Sequence, residues 1–78
     1  MKVRAVIKMI ELVVIEKTET GFSAFSADLP GCVATGATRE ETEKNMRDAI
    51  AFHVEGMHEE GLEVPHPHSS STYLEVSA

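Results

Sequence analysis

The sequence predicts an α+β domain with the element order β-β-β-α-β: an antiparallel three-stranded meander, one helix and a further strand. Three observations lead to this prediction. Two runs with strand-like alternation are separated by a polar connector, residues 17–21, which is typical of a hairpin. A turn signal, Pro30-Gly31, is followed by a short strand-forming run. Thr38 and, three residues later, Glu41 form a capping box that opens a helix.

The first run, residues 2–16, is rich in β-branched side chains, but its alternation changes phase along the chain. A straight strand of this length would extend about 45 Å, which is too long for so small a domain. We therefore expect a bulge or a break near residues 9–10, and we assign no role to the N-terminal extension Lys2 to Met9. In the second half, Leu12 and Val14 lie on one face. Val13 and Ile15 lie on the other, so both faces are apolar. This pattern favours a central strand with a helix on one side and a partner subunit on the other.

The second run, residues 22–28, is the predicted returning strand, and it leads into a tight turn. Leu29 precedes a proline and is therefore pushed toward extended backbone geometry. Pro30 presets φ at the second position of a type II turn, and Gly31 supplies the positive φ that the third position needs. We expect the chain to reverse between Leu29 and Cys32 and to continue as a short third strand.

The predicted helix runs from about Arg39 to Glu60, with Gly61 at the C′ position. Apolar and small side chains recur at spacings of three and four and should form the stripe that lies on the sheet: Thr42, Met46, Ala49, Ile50, His53 and Met57. Phe52 falls beside this stripe. A loop follows the helix, and the alternation of residues 72–77 predicts a final edge or central strand.

Length and composition indicate a single domain over residues 1–78. A chain of 78 residues buries only about 60 % of its unfolded surface, so oligomerisation or a partner is a reasonable source of further stability. The formal charge is −6, from 13 acidic and 7 basic residues, and no stretch concentrates the basic ones. This disfavours direct binding to nucleic acid and favours a basic protein partner. The N-terminal apolar run is interrupted by charges, so we expect no signal peptide, no membrane association and a cytoplasmic location.

No pattern in the sequence predicts a catalytic, cofactor or metal site, and we expect the protein not to be an enzyme. Cys32 is the single cysteine, and it is interpreted as a small buried hydrophobe without a redox role. His53 and His58 do not have the i, i+4 spacing of a helical metal site. The pair His66 and His68 lacks cysteine or carboxylate partners and is a weak metal signal.

Several of these features together resemble the HicB family of antitoxins from prokaryotic toxin-antitoxin systems, over about residues 11–77. The resemblance depends on an aromatic-small-aromatic strand, Phe22 to Phe25, followed by Asp-Leu-Pro-Gly-Cys at residues 28–32. Gly36-Ala37-Thr38, the glutamates after it, Asn45 and Ala49 in the helix, and residues 61–67 after the helix add to it.

The resemblance implies a truncated RNase H-like fold and a protein that binds and blocks a small basic mRNA-cleaving toxin, HicA. It also raises the possibility of nuclease activity, but the carboxylates here show no two-metal arrangement, so we do not expect such activity. Many family members continue into a DNA-binding domain. This chain stops at Ala78, so we expect promoter binding only through another protein.

Two functional hypotheses follow: a toxin-binding antitoxin, or a solitary HicB-like module that forms a dimer or tetramer without an active toxin partner. For toxin binding, the candidate contact residues lie in the second strand and the turn: Phe22, Phe25, Asp28, Leu29, Pro30, Gly31 and Cys32. For Asp28 two interpretations stay open. Its carboxylate either faces a basic toxin surface or accepts backbone N–H groups of the turn as in an Asx-turn.

Overall fold

The computed structural model describes residues 10–78, and it contains a three-stranded sheet and one long helix. The prediction of an N-terminal extension, Lys2 to Met9, lies outside the described residues. The three strands form an antiparallel sheet in the order β1-β2-β3, and α1 packs against β2 and β3. The bounds of the elements are β1 (Val13–Lys17), β2 (Phe22–Ser26), β3 (Val33–Gly36) and α1 (Arg39–Glu59). The predicted α+β class, the antiparallel meander and the helix after it are therefore confirmed.

The tight turn between β2 and β3 has the predicted geometry. Gly31 has φ of +79°, and the backbone N–H of Cys32 donates to the carbonyl of Leu29 over 3.2 Å. A proline followed by a residue with positive φ gives this reversal, and glycine takes that backbone conformation without steric cost. The N–H of Ser26 donates to the carbonyl of Cys32 over 3.1 Å, so β2 and β3 leave the turn already hydrogen-bonded.

Helix α1 is capped at both ends by the residues that the sequence indicates. The hydroxyl of Thr38 accepts the N–H of Glu41 over 3.1 Å, and the carboxylate of Glu41 accepts the N–H of Ala37 over 3.3 Å. At the other end Gly61 has φ of +72°, and the N–H of Leu62 donates to the carbonyl of Met57 over 2.8 Å. These bonds satisfy backbone groups that helix ends leave free, as in a capping box and a Schellman motif.

The hydrophobic core lies between the sheet and α1, and it is small. Within the described part of the chain the buried hydrophobic residues come from the strands, the turn and the helix: Ala24, Leu29, Cys32 and Met46. Half-buried residues of β1 and α1 pack around them. The predicted helix stripe is confirmed, because Thr42 and Met46 are buried and its other members are half-buried, whereas Phe52 is 80 % exposed.

Two expectations about the sheet differ from the structure. The predicted central strand, β1, is an edge strand, because β2 is its only hydrogen-bonded neighbour among the described strands. The predicted final strand at residues 72–77 is not formed in the single chain, where Leu74 is 79 % exposed and Val76 is 78 % exposed. A strand exists only where a neighbour satisfies its backbone groups, and no described strand pairs with this segment.

A close contact between β3 and α1 makes Gly36 sensitive to substitution. A Cβ atom there would lie 2.6 Å from Oγ1 and 2.8 Å from the backbone nitrogen of Thr42. We expect Gly36→Ala to lower the free energy of unfolding by about 1 to 3 kcal/mol, because backbone must move to accept the methyl group. Urea denaturation followed by circular dichroism measures this change.

Gly56 in α1 is the matched control for this substitution, since a Cβ atom there meets nothing within 4 Å. Gly56→Ala should raise the free energy of unfolding by about 1 kcal/mol, because alanine has the higher helix propensity. If both substitutions change the free energy of unfolding in the same direction, the steric explanation for Gly36 is wrong.

Candidate protein-binding surface

The sheet face that points away from α1 carries a row of apolar side chains across all three strands. Phe25 in β2 pairs with Val14 in β1 and with Val33 in β3, so the three side chains are cross-strand neighbours. Val14 is half-buried, Phe25 is 39 % exposed and Val33 is 64 % exposed. We call Val14, Phe25 and Val33 the outer row. It is an apolar surface that no described residue covers completely, which is typical of a protein-binding site.

The turn at residues 28–32 adjoins the outer row, because it connects the strands that carry Phe25 and Val33. Pro30 and Gly31 are exposed and form the tip of the turn. Leu29 is 1 % exposed and Cys32 is 4 % exposed, so these two side chains belong to the core. They fix the turn on the domain, and the surface that the turn offers to a partner is formed by its tip.

Phe22 lies apart from the other predicted contact residues. It is paired with Lys17 of β1 and with Gly36 of β3, at the end of the sheet opposite the turn. By strand alternation it shares the α1 side with Ala24, and its ring has the Lys17 ammonium 5.3 Å from its centroid. Phe22 is half-buried, and it lies on the opposite face of the sheet from the outer row.

Asp28 connects the turn to the C-terminal part of the chain. Its carboxylate accepts the hydroxyl of Ser69 over 3.1 Å and the backbone N–H of Ser69 over 3.5 Å. Desolvation raises the pKa of Asp28, but hydrogen bonds from the backbone of His68 and from Ser69 outweigh it, and the pKa lies below its ordinary value of 3.8. The carboxylate is therefore a structural acceptor that holds residue 69 beside the turn.

The Asx-turn interpretation of Asp28 is corrected by these contacts. The backbone N–H of Leu29 is accepted by the hydroxyl of Ser26 over 3.2 Å, and this hydrogen bond is buried. Serine performs here the local capping of the turn that was expected of aspartate, since a hydroxyl can make the same side-chain to backbone bond. This leaves the Asp28 carboxylate free to bond a residue 41 positions away along the chain.

The described residues offer neither an activated cysteine nucleophile nor a cluster of metal ligands. Burial, and next the nearby charge of Glu11, raise the pKa of the Cys32 thiol above its ordinary value, so the thiol stays protonated at neutral pH and is a poor nucleophile. Residues 10–78 contain no cluster of three histidine, cysteine or acidic side chains suited to a metal ion. In the same part of the chain, no helix has the length and apolar character needed to cross a bilayer.

The surface thus combines part of the predicted set with residues that were not predicted. The structure brings Phe25, Asp28 and the turn tip together, and it separates Phe22 from them. Val14 and Val33 were not among the predicted contacts. Their membership follows from strand register, because both are directly opposite Phe25, and register is a long-range property that alternation within one strand does not contain.

The pH dependence of the hydrogen bonds between Asp28 and Ser69 can be predicted from the direction in which the pKa of Asp28 is shifted. A carboxylate with a depressed pKa keeps its stabilising contacts above the unfolded value and loses them as the pH falls through the folded value. The contact should therefore persist down to 3.8, the ordinary pKa of this carboxyl, and release only below it. A titration of the Ser69 amide resonance by NMR measures the midpoint.

Asp28→Asn is the control for this titration, since the amide has nearly the same shape and no proton to gain. The Ser69 resonance of that variant should show no transition in the acid range. A midpoint at or above 3.8 in the unsubstituted chain would contradict the proposed hydrogen bonds.

Comparison with known proteins places this architecture in one family. The family model described as "HicB_like antitoxin of bacterial toxin-antitoxin system" matches residues 11–77. A chain of the solved "HicA3 and HicB3 toxin-antitoxin complex" superposes with a TM-score of 0.61 and 32 % sequence identity, over 76 % of this chain and 72 % of that chain.

Two curated relatives are also similar in sequence. A 14.9 kDa protein of the rep-hol intergenic region of Haemophilus phage HP1 is 36 % identical over 66 residues, which are 85 % of this chain and 50 % of the relative. A UPF0150 protein of Helicobacter pylori (strain J99) is 44 % identical over 41 residues, 53 % of this chain and 57 % of the relative. The chain thus spans about half the length of the curated relatives that it matches. Since the family model covers nearly all of the described residues, the chain belongs to the HicB-like antitoxin family of bacterial toxin-antitoxin systems.

Proposed function

We propose that this protein is an antitoxin that neutralises a small basic, mRNA-cleaving toxin of the HicA type by direct binding. The observation that carries the proposal is the likeness, in fold and at 32 % sequence identity, to a chain of a complex that contains a toxin and an antitoxin of this kind. The acidic balance of the chain, −6 in formal charge, supports a basic partner because complementary potentials steer encounter and favour the bound state.

The outer row and the turn tip are the surface that we assign to the toxin. Phe25 and Val33 supply an apolar centre, and Pro30 and Gly31 project beside it. Glu16 is exposed and shares this face by alternation with Val14, so it adds negative charge at the margin. An apolar centre with a polar rim is the usual anatomy of a protein interface, and aromatic residues commonly dominate its energy.

The remaining features of the proposal follow from the antitoxin role. Inhibition by binding needs no catalytic group, so we expect no RNA cleavage by the purified protein, which incubation with labelled RNA tests directly. The truncated RNase H-like relationship stays a prediction. So does the cytoplasmic location, where an mRNA-cleaving toxin would act.

Self-association is a second candidate function, with or without a toxin partner. It is favoured by the apolar residues that the single chain leaves exposed near its C-terminal end, Leu74 and Val76 among them. A dimer or tetramer is compatible with toxin binding, because each copy would present its own outer row.

Co-expression is the direct test of the antitoxin role. The chain is expressed together with the small open reading frame that adjoins its gene, and rescue of growth and co-purification are scored. Rescue together with a stable complex supports the proposal. If the product of the adjoining reading frame gives neither rescue nor co-purification, and no related HicA toxin binds, the antitoxin proposal is wrong. Self-association is then the remaining candidate function.

The assigned surface gives a sharper prediction for binding. Phe25→Lys and Val33→Lys should each weaken toxin binding by roughly tenfold or more, equivalent to about 1.4 kcal/mol, because each removes an apolar contact and adds a charge that repels a basic partner. Isothermal titration calorimetry with the purified toxin measures the dissociation constant of each variant.

Phe52→Lys is the matched control. It replaces another exposed aromatic residue, 80 % accessible on α1, and it changes the net charge by the same amount. Binding by this variant should stay within a few fold of the unsubstituted chain. If all three variants weaken binding equally, only overall charge matters and the assigned surface is wrong.

A further inference from the structure

Residues 72–77, which we call the C-terminal segment, have the pattern of a strand but lack a strand partner in the single chain. Thr72, Leu74 and Val76 alternate with Tyr73, Glu75 and Ser77. Tyr73 is fully exposed, at 103 %, and Leu74 and Val76 are nearly so. β-Branched and aromatic side chains in alternation stabilise a strand only when it is paired and one face is covered. To form a strand, this segment therefore needs the unpaired edge of a sheet.

The outer edge of β1 is such an edge, and a groove runs beside it. Among the described strands, β1 has one hydrogen-bonded neighbour, β2. Between β1 and α1 lies an open groove of about 510 Å³. Its floor is apolar, from Leu12, Val13, Ile15, Met46 and Ile50, and the charged residues Glu11, Arg39, Glu43 and Arg47 also line it. Two alternate apolar side chains can enter such a groove while their backbone pairs with β1.

The opposite edge of the sheet, on β3, is less available. The side-chain amide of Asn45 in α1 donates to the backbone carbonyl of Thr35 in β3 over 2.9 Å. β3 is also short, ending at Gly36, and its α1 side is closely packed on Thr42. Of the two edges, β1 is the one that offers both a groove with an apolar floor and backbone that no described strand pairs with.

The carboxylate of Glu11 in the groove accepts no hydrogen bond from the described residues. Glu11 lines the groove, and both of its carboxylate oxygens are shielded from solvent without a donor among the described residues. A shielded carboxylate is costly unless it accepts hydrogen bonds. The backbone N–H groups of an incoming strand would supply them.

We infer that the C-terminal segment of a second copy of this chain pairs with the outer edge of β1, with Leu74 and Val76 in the groove, and that the exchange is reciprocal. In its own chain the segment lies away from the groove, since its apolar side chains are exposed. Such an exchange is a two-fold symmetric, isologous contact, and it covers the β1 edge of each copy. β1 would then be the central strand that its apolar faces, Val13 and Ile15 among them, indicate.

The chain just before the C-terminal segment is already positioned for this exchange. Ser69 is held by Asp28, and the neighbouring Ala27 donates its N–H to the carbonyl of Leu12 over 3.2 Å, so the segment leaves the domain close to the beginning of β1. Ser70 and Ser71, between the anchored Ser69 and Thr72, then let the segment reach the second copy. This inference concerns self-association and holds whether or not the chain binds a toxin.

Sedimentation velocity at low micromolar concentration tests the exchange. The unsubstituted chain should be a dimer, and the double variant Leu74→Asp/Val76→Asp should be a monomer, because it removes both apolar side chains that would contact Val13, Ile15 and Met46 in the groove. Tyr73→Asp/Ser77→Asp is the matched control: it adds the same two charges to the other face of the C-terminal segment and should stay dimeric. A monomeric unsubstituted chain overturns the inference, and so does a dimer that Leu74→Asp/Val76→Asp leaves intact.

An isotope-filtered NMR experiment on an equal mixture of labelled and unlabelled chains identifies the contact itself. We expect intermolecular NOEs between the methyl groups of Leu74 or Val76 and amide protons of β1. NOEs found only within one molecule would mean that the segment packs on its own sheet, and would overturn the exchange. Toxin binding by the monomeric variant, whose outer row is unchanged, is measured separately, so failure of one proposal is distinguishable from failure of the other.

Discussion

The turn between Leu29 and Cys32 is the constraint on which the rest of this small fold depends. Pro30 and Gly31 reverse the chain within one hydrogen bond, and this places the side chains of Leu29 and Cys32 in the core. Together with Ala24 and Met46 they are the buried hydrophobic residues of the described chain. A turn usually lies on the surface and contributes little to the core. Here it supplies half of the buried hydrophobic set, so turn geometry and core formation are inseparable.

The same turn links the core to the surfaces where partners are proposed to bind. Because Leu29 and Cys32 anchor it from below, its tip is held beside the outer row. Ser26 caps the turn through a buried hydrogen bond to the N–H of Leu29, which leaves the carboxylate of Asp28 available to hold Ser69. Because Ser26 rather than Asp28 caps the turn, Asp28 can anchor the chain at Ser69, just before the C-terminal segment.

Local signals in the sequence were sufficient for most of the fold. Thr38, Glu41 and Gly61 bound the helix because caps act through neighbouring backbone groups, and the turn followed from the φ preferences of Pro30 and Gly31. Long-range properties were not available in the same way. The outer row depends on strand register, and the status of β1 as an edge depends on which strands pair. The resemblance to HicB antitoxins came from the Asp-Leu-Pro-Gly-Cys motif, yet two residues of that motif lie in the core and only the motif's remainder can touch a partner.

Two expectations that the described residues do not confirm, a central β1 and a strand at residues 72–77, have one physical origin. Both describe a sheet with a fourth strand beside β1, and residues 10–78 of the single chain do not form that pairing. The sequence pattern of a strand records the environment in which it is buried, and that environment can include another molecule. Three features belong to one unfilled arrangement: the groove beside β1, the shielded carboxylate of Glu11, which has no donor among the described residues, and an exposed alternating segment. A domain with so small a core gains stability most readily by completing its sheet with a strand from a second copy.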